Sequence, residues 1–216
     1  PVAEDIGYNT SNSYCNASVS VDGTLVYLSG GVPNRELIWF DRTGKQLDSV
    51  GPVGDINDVV LSRDAKRIAI QRRVEGNYDI WLMDLARGVP SRFTFDAGVE
   101  DNPVWSPDGN FVAFSAATTD LLATLYRKPS TGLGNPELLF KSDDGKEPTD
   151  WSSDGQFLLF NQYNLSGSDV WVLPLVGDRK PYPLLDSEFV EGAAFFAPDS
   201  HWFAYSSNET GRSEIY

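Results

Sequence analysis

A chain of 216 residues with 17 Lys and Arg against 31 Asp and Glu carries a formal charge of −14. That balance argues against DNA or RNA as partner, since phosphate backbones demand clustered cations. Hydrophobic residues at 41%, with 19 Gly and 13 Pro, specify a folded, turn-rich chain, and no apolar run approaches the ~20 residues of a membrane-spanning helix.

The chain begins at Pro1 without a Met and shows no signal-peptide pattern, so it is expected to be a processed product or a piece of something longer. The one cysteine, Cys15, leaves no internal disulfide and no CxxC metal site. The one histidine, His201, removes most histidine-dependent catalysis.

Taken in chain order, one unit recurs. Ser20-Val21-Asp22, Ser62-Arg63-Asp64, Ser106-Pro107-Asp108 and Ser152-Ser153-Asp154 are followed by Ala197-Pro198-Asp199, with Asp-to-Asp spacings of 42, 44, 46 and 45. Three residues before each Asp stands an apolar residue: Val19, Leu61, Trp105, Trp151 and Phe196. Just after it comes a short apolar run: Leu25–Leu28, Arg67–Ile70, Phe111–Phe114, Phe157–Phe160 and Trp202–Tyr205. A second run follows in Leu37–Phe40, Ile80–Met83, Leu125–Lys128, Val170–Leu173 and Ile215-Tyr216. A third run lies beyond a Gly turn, as in Arg92-Phe93-Thr94 and Glu137–Phe140.

Short runs rich in aromatic and β-branched residues, punctuated by Gly, Pro, Asn and Asp, are strand signals. No segment shows helical periodicity over ten residues. Four strands per ~44 residues is the period of a β-propeller blade. The expected fold is therefore all-β, a propeller of four-stranded blades with five repeats visible, forming one domain over residues 1–216.

The recurring Asp has a local role. Pro presets φ at the second turn position, the carboxylate caps the turn and Gly takes the positive-φ position. Pro107-Asp108-Gly109 has all three, whereas Ala65 and Ser200 replace the Gly in two copies. These Asp residues are read as turn caps, not catalysts.

Asn102-Pro103-Val104-Trp105-Ser106-Pro107-Asp108-Gly109, followed by Phe111-Val112-Ala113-Phe114-Ser115, resembles the PD40 (WD40-like) repeat of TolB-type propellers. The resemblance covers nearly the whole chain and is loosest in the first copy, where Val21 replaces Pro. Segments such as Asp79–Gly88 and Gly177–Pro181 are similar to the propeller regions attached to bacterial, acidobacterial-type serine/threonine kinases. That resemblance implies a sensor or interaction module whose kinase, if any, lies elsewhere, because no kinase motif is present here. A propeller gating a peptidase domain of its parent is indistinguishable from this on the residues. The resemblance also implies a periplasmic or extracytoplasmic location. TolB-type propellers usually have six blades, so five copies suggest a ring continued outside this sequence. The alternative is closure by a strand near Val2.

Propellers bind at the channel mouths, through loops entering the innermost strand. Those loops are acidic here: Asp55–Asp58, Asp96–Asn102, Asp143–Glu147 with Asp150, and Glu188 with Glu191. Because each precedes the same strand, the repeat expects them on one face. They read either as a solvated surface, as a docking face for a basic protein or peptide, or as a Ca²⁺-type site of carboxylate oxygens without EF-hand spacing. The candidate partner-binding residues are Asp58, Glu100, Asp101, Glu147, Asp150 and Glu191, with no catalytic residue. The alternative is a metal-dependent lactonase- or esterase-type hydrolase starting from Asn57, Asp101 and Glu147, a set that the aligned Cys15 and Gly192 break.

His201 occupies a turn slot held by Asn110 and Gln156 elsewhere and is not expected to act as a base with Ser200. Trp39, Trp81, Trp171, Trp105 and Trp151 recur at equivalent positions and are read as inter-blade packing, with carbohydrate stacking as the alternative. Trp202 is expected to be the most exposed. The sequons at Asn16, Asn164 and Asn208 are read as coincidence.

Overall fold

The computed structural model describes residues 17–20, 23–29, 35–117 and 122–216. The readings placed on Val2, Cys15, Asn16, Val21 and Asp22 lie outside them.

Every regular element among the described residues is a strand, and the strands form five antiparallel sheets in chain order. The first comprises β1 (Ala17–Val19), β2 (Leu25–Ser29), β3 (Arg35–Phe40) and β4 (Gln46–Gly54). The second comprises β5 (Ile56–Leu61), β6 (Arg67–Val74), β7 (Asn77–Asp84) and β8 (Pro90–Arg92). The third comprises β9 (Val99–Trp105), β10 (Phe111–Ala117), β11 (Thr124–Pro129) and β12 (Glu137–Phe140). The fourth comprises β13 (Gly145–Trp151), β14 (Phe157–Asn164), β15 (Gly167–Pro174) and β16 (Tyr182–Pro183). The last has three strands, β17 (Glu191–Phe196), β18 (Phe203–Ser207) and β19 (Glu214–Ile215). These are the repeats read from the sequence, and the architecture is the expected all-β propeller.

The Ser-x-Asp turns show why the repeat is so regular. Ser62, Ser106 and Ser152 donate their hydroxyls to Asp64, Asp108 and Asp154 at 2.6–2.7 Å. The same hydroxyls accept the amides of Arg67, Phe111 and Phe157, each at 2.9 Å, which starts the next strand. The Asp carboxylates also accept the amides of Lys66, Asn110 and Gln156. Hydrogen bonding, led in each case by the Ser hydroxyl, holds all three carboxylates below the usual Asp range. They are structural caps of their turns. Ala65 and Ser200 carry positive φ, 53° and 57°, where Gly109 and Gly155 sit at 69° and 76°.

A second device lies in the first strand of the repeat. The ladder shifts between Ile56 and Val59 in β5, between Pro148 and Asp150 in β13, and between Gly192 and Phe195 in β17. Asn102 and Ala193 carry φ of 51° and 50° at the matching place. Such a bulge inserts one residue and re-aims the side chains before it. Residues three apart then both point inward, as Ile56 and Val59 do, and Glu191 and Ala194.

The chain divides into two compact units, Pro1–Pro103 and Val104–Tyr216. In the first, Val26, Leu37, Ile56, Val59, Ile68, Ile70 and Met83 form a core, with Trp39 and Trp81 packed against it. In the second, Ala113, Leu125, Trp151, Leu158 and Phe160 form one core, with Trp171 against it. Leu159, Val170, Val172 and Ala194 form another, joining the last two sheets. Each Val, Leu, Ile, Met or Phe among them contributes about 1.5–3 kcal/mol on burial. Trp105 and Trp151 are buried, and Trp202 is 76% exposed, as expected.

Candidate functional site

The acidic segments enter the first strand of each sheet, and the bulge decides which of their side chains go inward. Aligned on Leu61, Trp105, Trp151 and Phe196, the position five residues earlier holds Ile56, Glu100, Lys146 and Glu191. All four are buried. One repeat fills this inward slot with an aliphatic side chain and three fill it with an ionisable one. A buried charge needs a partner, so these three positions are where chemistry collects.

In the first unit, Glu100 is 0% exposed and Asp79, at the start of β7, is 1% exposed. Arg92 of β8 donates to Asp79 Oδ1 at 2.7 Å. The Asn77 side-chain amide donates to the same oxygen at 3.3 Å and to the Asp96 carbonyl at 2.9 Å. Gln71 donates to the Glu100 carbonyl at 3.2 Å. The Glu100 carboxyl faces the Thr94 hydroxyl and the Asp79 carboxyl, in contacts that fall short of good hydrogen-bond geometry.

Burial raises Glu100 to about 8; the Thr94 hydroxyl opposes the shift, and Asp79 and Asp96 add to it. Glu100 is therefore protonated at neutral pH. Asp79 Oδ2 and both Glu100 oxygens are buried without a well-formed hydrogen bond, and a neutral Glu100 spares the site a second buried charge beside Asp79. The pair has its cation within the chain: the Arg92 guanidinium bonds Asp79 on one side, and the raised Glu100 carboxyl faces it on the other.

In the second unit the same two positions recur as Asp169, at the start of β15, and Glu191, at the start of β17. Trp81 pairs with Arg92 across β7 and β8, and Trp171 pairs with Pro183 across β15 and β16. Pro183 thus stands where the first pair has its arginine. Phe93 and Thr94 both donate to the Ile80 carbonyl, as Leu184 and Leu185 donate to that of Val170, so Leu185 stands at the Thr94 position. Glu191 is 5% exposed. The Ser187 hydroxyl donates to its Oε1, and its Oε2 is buried without a hydrogen-bond partner. Burial raises the Asp169 carboxyl, and Asp186, Glu191 and Asp144 push it further.

Lys146 fills the slot between them in sequence. Its ammonium donates to the Asp144 carbonyl and lies 5.2 Å from the Phe140 ring. Burial lowers its pKa, and Asp144 and Asp143 partly offset this. Gln162 donates to Asp144 Oδ2 at 3.1 Å.

Of the sequence candidates, Asp58, Asp101 and Glu147 are half-buried beside these slots, and Asp101 also caps its neighbour Asn102 at 2.8 Å. Glu100 and Glu191 are corrected from surface carboxylates to buried ones. Asp150 is corrected too: its oxygens accept the amides of Trp151 and Phe196, each at 2.8 Å, so it ties β13 to β17. Asp79, Asp169 and Asp186 were missed. The repeated Asp-Ile-Trp and Asp-Val-Trp at the head of β7 and β15 was the available signal.

No group of three His, Cys, Asp or Glu side chains is placed to hold a metal among the described residues. The Ca²⁺ and lactonase-type readings therefore find no ligand set there: Asn57 accepts from Arg35 at 2.8 Å, and Asp101 caps its own strand. His201 is exposed and bonded only within its turn to Asp199, while Ser200 bonds Ser153 at 2.9 Å. They form no catalytic pair.

No protein-family model matches the chain. A 76-residue stretch is 30% identical to the protein TolB homolog of Chlorobium chlorochromatii (strain CaD3), covering 35% of this chain and 16% of that protein. The crystal structure of TolB from Acinetobacter baumannii matches with a TM-score of 0.77 at 19% identity, over 93% of this chain and 50% of that one. A TolB structure from Agrobacterium tumefaciens matches with a TM-score of 0.73 at 23% identity, over 88% and 68%. The chain thus spans half to two thirds of these structures and a smaller part of the curated relative. At these identities the likeness speaks to architecture. The chain has the fold of a TolB-like β-propeller.

Proposed function

We propose that this chain is a non-catalytic binding module that recognises a protein or peptide partner bearing basic residues, through the acidic segments entering β5, β9, β13 and β17. The observation that carries the reading is the group formed by Asp144, Asp169, Asp186 and Glu191. In it the Asp169 carboxyl is raised by burial and further by its acidic neighbours, and one buried oxygen, Glu191 Oε2, lacks a donor. Loops and strand ends held by a rigid sheet are where recognition residues concentrate, and carboxylates select Lys and Arg on a partner while repelling acidic competitors. The likeness to TolB structures supports a binding role and an extracytoplasmic setting. In this reading the module is the sensor or interaction part of a larger bacterial protein, such as a serine/threonine kinase.

The test is capture of equal-length basic and acidic peptides at low ionic strength by the chain and by its D101K/E147K variant. Basic peptides are expected to bind selectively, and the double variant, checked as folded by its cooperative melting transition, to bind them more weakly. Equal capture of acidic and basic peptides would sink the proposal.

A further inference from the structure

The two carboxylate pairs are internal copies of one another, and the first shows what completes the arrangement. Asp79 Oδ1 is held by the Arg92 guanidinium at 2.7 Å, and the Glu100 carboxyl, raised to about 8 by burial, faces the Asp79 carboxyl, with Asp79 Oδ2 and both Glu100 oxygens short of a good hydrogen bond. Asp169 and Glu191 keep the carboxylates but have Pro183 at the arginine's register position. Asp186 adds a third acid where the first unit has Phe95. A buried carboxylate oxygen without a donor is costly, and Glu191 Oε2 is one. Lys146 does not fill the gap: its ammonium is spent on the Asp144 carbonyl, the Phe140 ring and the charges of Asp144 and Asp143.

We propose that Asp169, Glu191 and Asp186 form a receptor for one guanidinium group, an arginine side chain of the partner that takes the place Arg92 holds in the first unit. Arg suits the site better than Lys because its planar fork donates to two carboxylates at once, whereas an ammonium acts as a point charge. Ser187 orients Glu191 by holding Oε1, which leaves Oε2 for the incoming donor. This deepens the binding-module reading and rests on it: it names one receiving site and the chemical group received.

The experiment uses acetyl-arginine-amide, with acetyl-citrulline-amide as its uncharged isostere and acetyl-lysine-amide as the alternative cation. Each is titrated into the ¹⁵N-labelled full chain, with amide shifts of β15–β17 as readout. The arginine probe is expected to move amides around Asp169, Ser187 and Glu191, the lysine probe to bind several-fold more weakly, and the citrulline probe not to bind. D169N and E191Q, which keep shape while removing charge, are expected to weaken the arginine probe at least tenfold. The exposed-site control D48N is expected to leave it unchanged.

P183R supplies the guanidinium from within the chain. It is expected to abolish probe binding and raise the melting temperature, so the proposal does not depend on the acid variants folding. Arginine and citrulline probes binding alike would overturn the receptor, as would D169N, E191Q and P183R all leaving the arginine probe's affinity intact. If basic peptides bind the chain but ignore these three variants, this site fails while the module reading stands. If no basic peptide or probe binds, both fail.

Discussion

Asp79–Glu100 and Asp169–Glu191 are one arrangement built twice, and the molecule finishes it only the first time. Both pairs sit where the third strand of one repeat starts beside the first strand of the next, and both are held by the same backbone pattern. In the first, Arg92 and a retained proton leave only the carboxyls' desolvation to be offset by packing. In the second, Pro183 cannot donate, Leu185 replaces the Thr94 hydroxyl, and Asp186 brings another negative charge. The difference separates a structural ion cluster from a binding site: the same residues serve stability when the cation is internal and recognition when it comes from outside.

The comparison can be broken at its strongest point by removing Arg92. R92A leaves the buried Asp79 carboxylate without its cation and should destabilise the chain by about 2–4 kcal/mol, a range set low because Arg92 is itself partly exposed. The midpoint of urea unfolding measures it. A change below about 0.5 kcal/mol would mean that the first pair is not closed by this arginine.

Glu100 gives the next effect, and its sign is fixed by linkage. The native state keeps a proton up to about pH 8 that an unfolded Glu releases near its ordinary pKa of 4.5. Stability is therefore highest below pH 4.5 as far as this group is concerned, and its share is lost as pH rises toward 8. E100Q keeps a donor for Asp79 and carries no charge. It should flatten that slope and stabilise the chain at pH 8 by about 1–3 kcal/mol. Parallel stability–pH curves for the two proteins would contradict a protonated Glu100.

The smaller effects lie in the open pair. P183R should stabilise by about 0.5–1.5 kcal/mol, read as a rise in melting temperature that high salt reduces. E191Q should lower the Asp169 pKa, because it removes one of the negative charges that raise it. The pH titration of the Asp169 carboxyl by ¹³C NMR checks it.

The fold was legible because its cause is local. A Ser hydroxyl, an Asp carboxylate and a positive-φ residue make a turn wherever they occur together, so Asp64, Asp108 and Asp154 mark the repeats with no knowledge of packing, and Asp199 keeps the carboxylate and the positive-φ residue with Ala197 in place of the Ser. The site was only half legible. The segments were found, but strict alternation back from Val59 and Leu61 points Asn57 inward and Ile56 outward. The bulge reverses this, and with it the slots of Glu100, Lys146 and Glu191. A bulge at Asn102 or Ala193 leaves no residue-type signature as strong as Gly or Pro. Asp79 and Asp169 gain their importance from the sheet that follows theirs, which is a non-local fact. Asp150 read as one more surface acid because its backbone partner, Phe196, lies a whole repeat away.

The most direct measurement is a ¹³C carboxyl NMR titration of Glu100 and Asp169 in one sample, with and without acetyl-arginine-amide. Glu100 is expected to titrate near pH 8 in both conditions. Asp169 is expected to titrate above the usual Asp range alone and to fall toward it when the guanidinium is present. Asp169 unmoved by the probe, or Glu100 moving as much as Asp169, would contradict the division of the two pairs into one closed and one open.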